Sequence, residues 1–151
     1  MSSPPQWARE GGTSVLVGTA DASCVPAGCR GIAVRIDPQF SRATAFVPVA
    51  TSRDVIANAA STKRAAFVVT RIVEHFSVQL KGSVETIRLA TDAEEPFVRS
   101  RLSEFAEVLD SVGLPRRLGE TLACWPAFAI ELNVEELFDQ TPGPRAGTAI
   151  R

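Results

Sequence analysis

Two short segments of the chain carry side chains suited to holding an anion. In Pro26-Ala-Gly-Cys-Arg-Gly31, Arg30 stands between small residues, and the glycines would let a flat ligand approach the backbone. In Thr51-Ser-Arg-Asp54, Ser52 and Arg53 stand at a predicted helix start, where free N–H groups and the helix dipole favour an anion. A guanidinium can grip a phosphate with two parallel hydrogen bonds. Each segment also has a plainer interpretation, with Arg30 on an exposed sheet face and Ser52 as an ordinary helix cap.

The side chains are poorly suited to acid–base or metal chemistry. His75 is the one histidine, no nucleophile elbow surrounds it, and tyrosine is absent. Glu94 and Glu95 fall in the first turn of a predicted helix, where they complement the helix dipole. Cys24 and Cys29 lack two further partners at ligand spacing, so no metal site is predicted. If the protein is an enzyme, a cofactor performs the difficult step, and no catalytic residue can be assigned.

Strands with local connections must position the two segments. A short helix is predicted from an N-cap at Thr51 or Ser52, and a longer helix over 92–112 with a capping box at its start. Gly82 predicts a bulge inside the long strand 75–89. Gly28 and Gly31 likewise predict a bulge in the strand 25–36. Predicted strands cover 14–19, 25–36, 43–47, 65–70, 75–89 and 122–132. Since strands and helices do not alternate regularly, the pattern favours a small antiparallel barrel with appended helices over a doubly wound sheet.

Length and composition exclude several classes of protein. A chain of 151 residues is the usual size of one domain. Charged residues make up 22% with a net charge of −1, which is typical neither of a disordered polyelectrolyte nor of a nucleic-acid-coating protein. No apolar run has the length of a membrane helix, the first residues do not resemble a signal peptide, and the three cysteines are an odd number. We therefore predict a cytoplasmic protein with neither nucleic-acid nor membrane partners.

Several motifs follow one another in a defined order. Pro26 to Arg30 is followed by Phe46-Val-Pro48, by Ser52-Arg53 opening a helix, and by the strand Ser77-Val-Gln-Leu-Lys-Gly-Ser-Val-Glu85. The chain then ends in 134–147, which contains Thr-Pro-Gly-Pro-Arg-Ala-Gly. This order resembles the pyridoxamine 5'-phosphate oxidase-like superfamily of FMN-binding split β-barrels, and the ending resembles its short FMN-binding subgroup. The resemblance implies a mainly β fold, a six-stranded antiparallel split β-barrel with appended helices. The predicted divisions are an N-terminal segment 1–12, the barrel domain 13–134 and a tail 135–151.

The resemblance also implies a cofactor site for FMN. Arg30 and Gly31 would lie beside the flavin, and Ser52 and Arg53 would hold its phosphate. Backbone groups for the ring would come from Phe46 and Val47, and a contact from the long strand would come from Gln79 or Ser77. Family members are homodimers with flavin sites at the subunit interface. The implied function is a small oxidoreductase or flavin reductase of unknown substrate or electron donor.

Departures from the family pattern leave alternatives open. Asp54 stands where the family often has lysine, and the Trp and Arg segment that true pyridoxamine phosphate oxidases use is absent, which argues against vitamin B6 oxidation. A deazaflavin-dependent reductase would keep the fold, although the net charge of −1 does not favour its polyglutamate-bearing cofactor. A flavin or haem carrier or sensor is another alternative, for which His75 is the one imidazole ligand. The last alternative is a dimer that binds no cofactor.

Overall fold

The computed structural model describes residues 3–151. Eight strands and three helices, with three short 3₁₀ turns between them, form one curled antiparallel sheet with helices against it. The strands are β1 Thr13–Ala20, β2 Pro26–Gly31, β3 Ala33–Ile36, β4 Arg42–Pro48, β5 Arg64–Arg71, β6 Ser77–Leu89, β7 Ala127–Asp139 and β8 Thr148–Ala149. The helices are α1 Arg53–Thr62, α2 Glu95–Ser111 and α3 Arg117–Glu120, and the 3₁₀ turns are Gln6–Arg9, Val49–Thr51 and Asp92–Glu94.

One bent strand closes the sheet into a barrel. The strand order is β2-β1-β5-β6-β7-β4-β3, with β8 against β7, so β2 and β3 form its two ends. These two strands are separated in the chain only by Ile32, whose N–H donates to the carbonyl oxygen of Phe46 on β4 at 2.9 Å. The continuous segment therefore pairs with β1 through its first half and with β4 through its second. Counted this way the barrel has six strands, and the predicted split-barrel fold is confirmed.

The glycine at this bend is required by close packing. A Cβ on Gly31 would come within 2.8 Å of Val15 Cγ1, closer than real side chains approach. Gly82 plays the same part in β6, where a Cβ would overlap the carbonyl oxygen of Asn133 at 1.8 Å. The register between β6 and β7 shifts between Lys81 and Gly82, so the predicted bulge is confirmed.

Alternation along the strands divides the barrel into a core and an outer face. Val15 and Val17 of β1 point inward and are buried, whereas Leu16 between them points outward and is 47% exposed. Helix α1 packs against β1, where the Thr19 hydroxyl donates to the Val55 carbonyl at 3.3 Å. The largest fully buried side chains of the main core are Phe40, Phe67, Leu80, Ile130, Leu132 and Leu137.

A second apolar cluster lies under α2, outside the barrel. Val98 and Leu102 of α2 cover Phe46, and the ring of Phe97 meets that of Phe46 edge-on at 5.8 Å between centroids. The long helix therefore fixes the outer face of β3 and β4.

The structure corrects three predicted boundaries. The segment 92–112 begins with a 3₁₀ turn before α2, although the capping box between Thr91 and Glu94 is present as predicted. The last long strand begins at Ala127 rather than at residue 122, because Pro126 has no N–H to donate to a sheet, and it continues to Asp139. That strand therefore ends seven residues later than the predicted Leu132, and the short β8 follows it.

Residues 3–151 contain neither a membrane-spanning helix nor a metal-binding group nor a disulfide. No helix in this range is long and apolar enough to cross a membrane. In the same range no group of three or more His, Cys, Asp or Glu side chains could hold a metal ion, and the three cysteines are free thiols.

An ion pair ties the end of β6 to the turn before α2. Arg88 Nη1 and Nη2 each donate to a carboxylate oxygen of Glu94 at 2.8 Å, and Thr91 N donates to the same carboxylate at 2.8 Å. The Glu94 side chain is only 13% exposed. The hydrogen bond from Arg88 is the largest influence, and it lowers the pKa of Glu94 from 4.5 to about 2.

This pair predicts a pH-dependent part of the stability. Because the folded pKa is depressed, the contribution is complete above about pH 5 and is lost as the pH falls towards 2. We expect Glu94→Gln to lower the free energy of unfolding by up to about 3 kcal/mol at pH 7 and by little near pH 2. Urea unfolding at both pH values measures this, with the exposed Glu107→Gln as control. An equal loss at both values would contradict the assignment.

Candidate functional site

Ser52 is the most unusual polar residue at the start of α1. It occupies the N-cap position, and its carbonyl accepts the Ile56 N–H at 2.9 Å, yet its hydroxyl makes no capping bond. The residue is fully buried, and its Oγ has no hydrogen-bond partner among the described residues. A buried hydroxyl without a partner costs about 1–3 kcal/mol. An acceptor that reaches this hydroxyl would recover part of that cost.

Arg53 and Asp54 follow Ser52 on the exposed first turn of α1. Within residues 3–151 no carboxylate lies at salt-bridge distance from Arg53, although most arginines of this chain are paired. Its guanidinium is therefore available to an external anion. Asp54 complements the helix dipole, but it also places a negative charge next to that anion.

Arg30 lies on β2, where two neighbours fix it. Its Nη1 donates to the Ser14 hydroxyl at 3.1 Å, and its guanidinium lies 5.4 Å from the centre of the Phe105 ring. The residue is exposed, so these contacts orient the guanidinium without enclosing it. Arg30 therefore lies on an exposed face of the sheet.

A shallow groove of about 520 Å³ runs across the outer face of the sheet beside Arg30. The strand register places Arg30 opposite Leu16, Leu16 opposite Val68, and Val68 opposite Gln79. The groove is therefore a row of side chains with a cation at one end and an amide at the other. Its floor is low because it also includes Gly18, Gly28 and Ala66. A flat molecule fits such a floor, because glycine and alanine allow close approach to the backbone.

Two polar features of the groove were not predicted from the sequence. Gln140 Nε2 donates to Gln79 Oε1 at 3.1 Å, which orients the amide. Cys29 also borders the groove, but it pairs with the inward-facing Val17 and packs against the barrel core, and burial raises the pKa of its thiol to about 11. The thiol is consequently protonated at neutral pH and is a weak nucleophile there. The pairing of β2, β1, β5, β6 and β7 in one sheet brings these residues together.

The other predicted residues lie away from the groove floor. Phe46 and Val47 are fully buried, the former under α2 and the latter in the barrel core. The Phe46 carbonyl already accepts the Ile32 N–H, and Gly31 is buried at the bend.

Ser77 is buried as well, and its hydroxyl shares a 2.9 Å hydrogen bond with that of Thr70. His75 is exposed in the connection between β5 and β6.

The arrangement suits binding better than acid–base chemistry. A hydroxyl without a partner, a free guanidinium and a helix N-terminus stand together at the start of α1 and suit a phosphate. The groove suits a flat ring, with Arg30 and Gln79 available for polar substituents. The donor types match those that a phosphate and a flat ring with polar edges require, and no side chain lining the groove is poised as a general base at neutral pH.

Comparison with known proteins identifies the fold. A scan against models of protein families finds no match, and a search of curated proteins finds none either. Among solved structures, an F420 reductase matches with a TM-score of 0.56 at 13% identity, covering 91% of this chain and 98% of that one. HupZ of group A Streptococcus matches with a TM-score of 0.51 at 15% identity, covering 89% and 90%.

A third solved structure comes from Lactobacillus delbrueckii, a protein provisionally assigned as a pyridoxamine 5'-phosphate oxidase. It matches with a TM-score of 0.50 at 18% identity, and 83% of each chain is covered. At such identities the likeness establishes fold and not activity. The chain therefore has the split β-barrel fold that the resemblance implied.

Proposed function

We propose that this chain binds FMN and works as a small flavin-dependent oxidoreductase. The observation that carries the proposal is the buried, unpartnered hydroxyl of Ser52 at the start of α1, beside the free guanidinium of Arg53. Ser52 donates to a phosphate oxygen and Arg53 balances the phosphate charge. The absence of a capping bond leaves that hydroxyl free to act as a donor.

The groove on the outer face receives the ring in this proposal. Gly18 and Gly28 allow the ring to lie close to the backbone, and Gln79 offers an amide that Gln140 has already oriented. Arg30 stabilises negative charge at the ring's polar edge. The bound flavin supplies hydride and electron transfer, while the residues of the chain bind and orient it. No residue is assigned as a catalytic acid or base.

We propose that a second copy of the chain completes the site. The groove is open and its floor includes Leu16, which is 47% exposed. A large apolar side chain in an open groove is energetically better covered than hydrated. A homodimer with the flavins at its interface would cover Leu16 and exclude water from the ring.

A deazaflavin reductase is the second candidate. The F420 reductase matches this chain with a TM-score of 0.56 over 98% of its own length. Both cofactors carry a phosphate and a flat tricyclic ring, so the same groove and helix start would serve either. The net charge of −1 is less favourable to the acidic tail of a deazaflavin.

Equilibrium titration with each cofactor tests binding, and reduction of the bound cofactor by NADH or NADPH tests the oxidoreductase activity. The purified chain is titrated with FMN and with F420, and each loaded form is then mixed anaerobically with NADH or NADPH. We expect tighter binding of FMN, and faster loss of the oxidised flavin band in the loaded protein than with free FMN. Tighter binding of F420 would replace the first proposal by the second. Binding without faster reduction would leave a flavin carrier.

A further inference from the structure

A second cavity lies away from the groove. It measures about 280 Å³ and lies where the N-terminal segment, the connection between β5 and β6, the end of β7 and the C-terminal segment meet. Its lining shares no residue with the groove. The volume suits a molecule about the size of an amino acid.

One side of the cavity is aromatic and aliphatic. The rings of Trp7 and Phe76 line it with their centroids 6.4 Å apart and their planes inclined at 39°. Ile150 lines it from the C-terminal segment. Phe76 is 44% exposed, so this apolar surface is open to a ligand from solvent. A ring or branched aliphatic side chain would gain from covering it.

The other side carries a long ion pair, Asp139 with Arg145, whose two members keep unused hydrogen-bonding positions. Asp139 is 19% exposed, and its Oδ1 accepts the Thr141 N–H at 2.9 Å. That hydrogen bond is the largest influence holding the pKa of Asp139 below its usual value, so the group is a carboxylate at neutral pH. Arg145 Nε forms a salt bridge with Oδ2 at 3.6 Å, which is too long for a good hydrogen bond, and the Arg145 side chain is 78% exposed.

We propose that this cavity binds a free α-amino acid with an apolar side chain. Asp139 accepts hydrogen bonds from the ammonium group, Arg145 pairs with the carboxylate, and the side chain packs against Trp7 and Phe76. Within this ion pair Oδ2 and the guanidinium make no hydrogen bond to each other, so they can take up the ammonium and the carboxylate of a zwitterion, whereas a simple cation or anion would use only one of them. The site is independent of the flavin, and its test uses the chain without added FMN.

Trp7 provides a direct readout. The chain has two tryptophans, and Trp125 packs in the separate cluster under α2, so Trp125→Phe leaves Trp7 as the sole emitter. L-Phenylalanine is titrated into this variant, and calorimetry of the parent chain gives an independent affinity. We expect a saturable change in emission. Phenylethylamine and 3-phenylpropanoate, which each lack one charge, should bind about tenfold or more weakly.

Matched variants test the two charges. Asp139→Asn keeps the acceptor for Thr141 and should weaken binding of L-phenylalanine about tenfold or more. Arg145→Gln alters an exposed side chain, does not endanger folding, and should weaken it severalfold. Glu136→Gln makes the same change of charge at an exposed position of the same strand and should leave the affinity unchanged. Absence of saturable binding overturns the proposal, as does binding in both charge variants that equals the parent's.

Discussion

Replacing Arg53 by alanine is expected to weaken FMN binding by about 1.5–3 kcal/mol, which is roughly 10- to 150-fold in Kd. Its guanidinium has no carboxylate partner in the described part of the chain, so the loss falls on the ligand rather than on an internal ion pair. Arg30→Ala should have an effect of the same size through the groove. Fluorescence titration of FMN against each variant measures both losses.

The controls separate a specific site from a general effect of positive charge. Arg117→Ala removes an exposed arginine from α3 and should leave the affinity unchanged. Arg53→Lys keeps the charge but loses the planar fork, so it should recover only part of the affinity. If Arg53→Ala and Arg30→Ala both bind FMN as tightly as the parent, the assigned site is wrong.

Ser52→Ala should change stability and binding in opposite directions. The hydroxyl is buried without a partner and makes no capping bond, so its removal should leave the free protein as stable as before or up to about 1 kcal/mol more stable. The same change removes a donor to the phosphate and should weaken FMN binding about tenfold or more. Thermal unfolding of the ligand-free protein measures the stability, and titration with FMN measures the affinity. A conventional helix cap would instead lose stability when replaced by alanine.

Thr51→Ala is the matched control for this prediction. Thr51 is the exposed neighbour of Ser52 and lies in the 3₁₀ turn before α1. Its replacement should alter neither quantity by much. Unchanged FMN affinity in Ser52→Ala would mean that the orphaned hydroxyl has no part in binding.

The elements of the fold could be predicted largely from local patterns. The apolar run at residues 15–17 marks β1, Gly82 marks the bulge in β6, and the Thr91 and Glu94 pair marks the start of the long helix. Closure of the barrel depends on a contact between distant strands, the bond from Ile32 to Phe46, which follows from no local pattern. Pro126 lay inside the predicted last strand, and the structure places it before that strand begins.

The site could be predicted only in part, for reasons of register and burial. Arg30 and Gln79 share one groove because three strand pairings align them, and the motif order already indicated both residues. Ser77 has the same side-chain direction as Gln79 by alternation, but its hydroxyl is paired with Thr70 and its position borders the other cavity. That Ser52 lacks a capping bond is a matter of local backbone geometry, since its residue type alone predicts an ordinary cap.

The most direct measurement is gel filtration of the FMN-incubated protein, with light scattering and the visible spectrum recorded across the eluting peak. We expect a flavin band to elute with the protein, at a mass twice that of the 16.1 kDa chain. A colourless protein peak, with all the flavin in the small-molecule volume, would show that this barrel does not bind FMN.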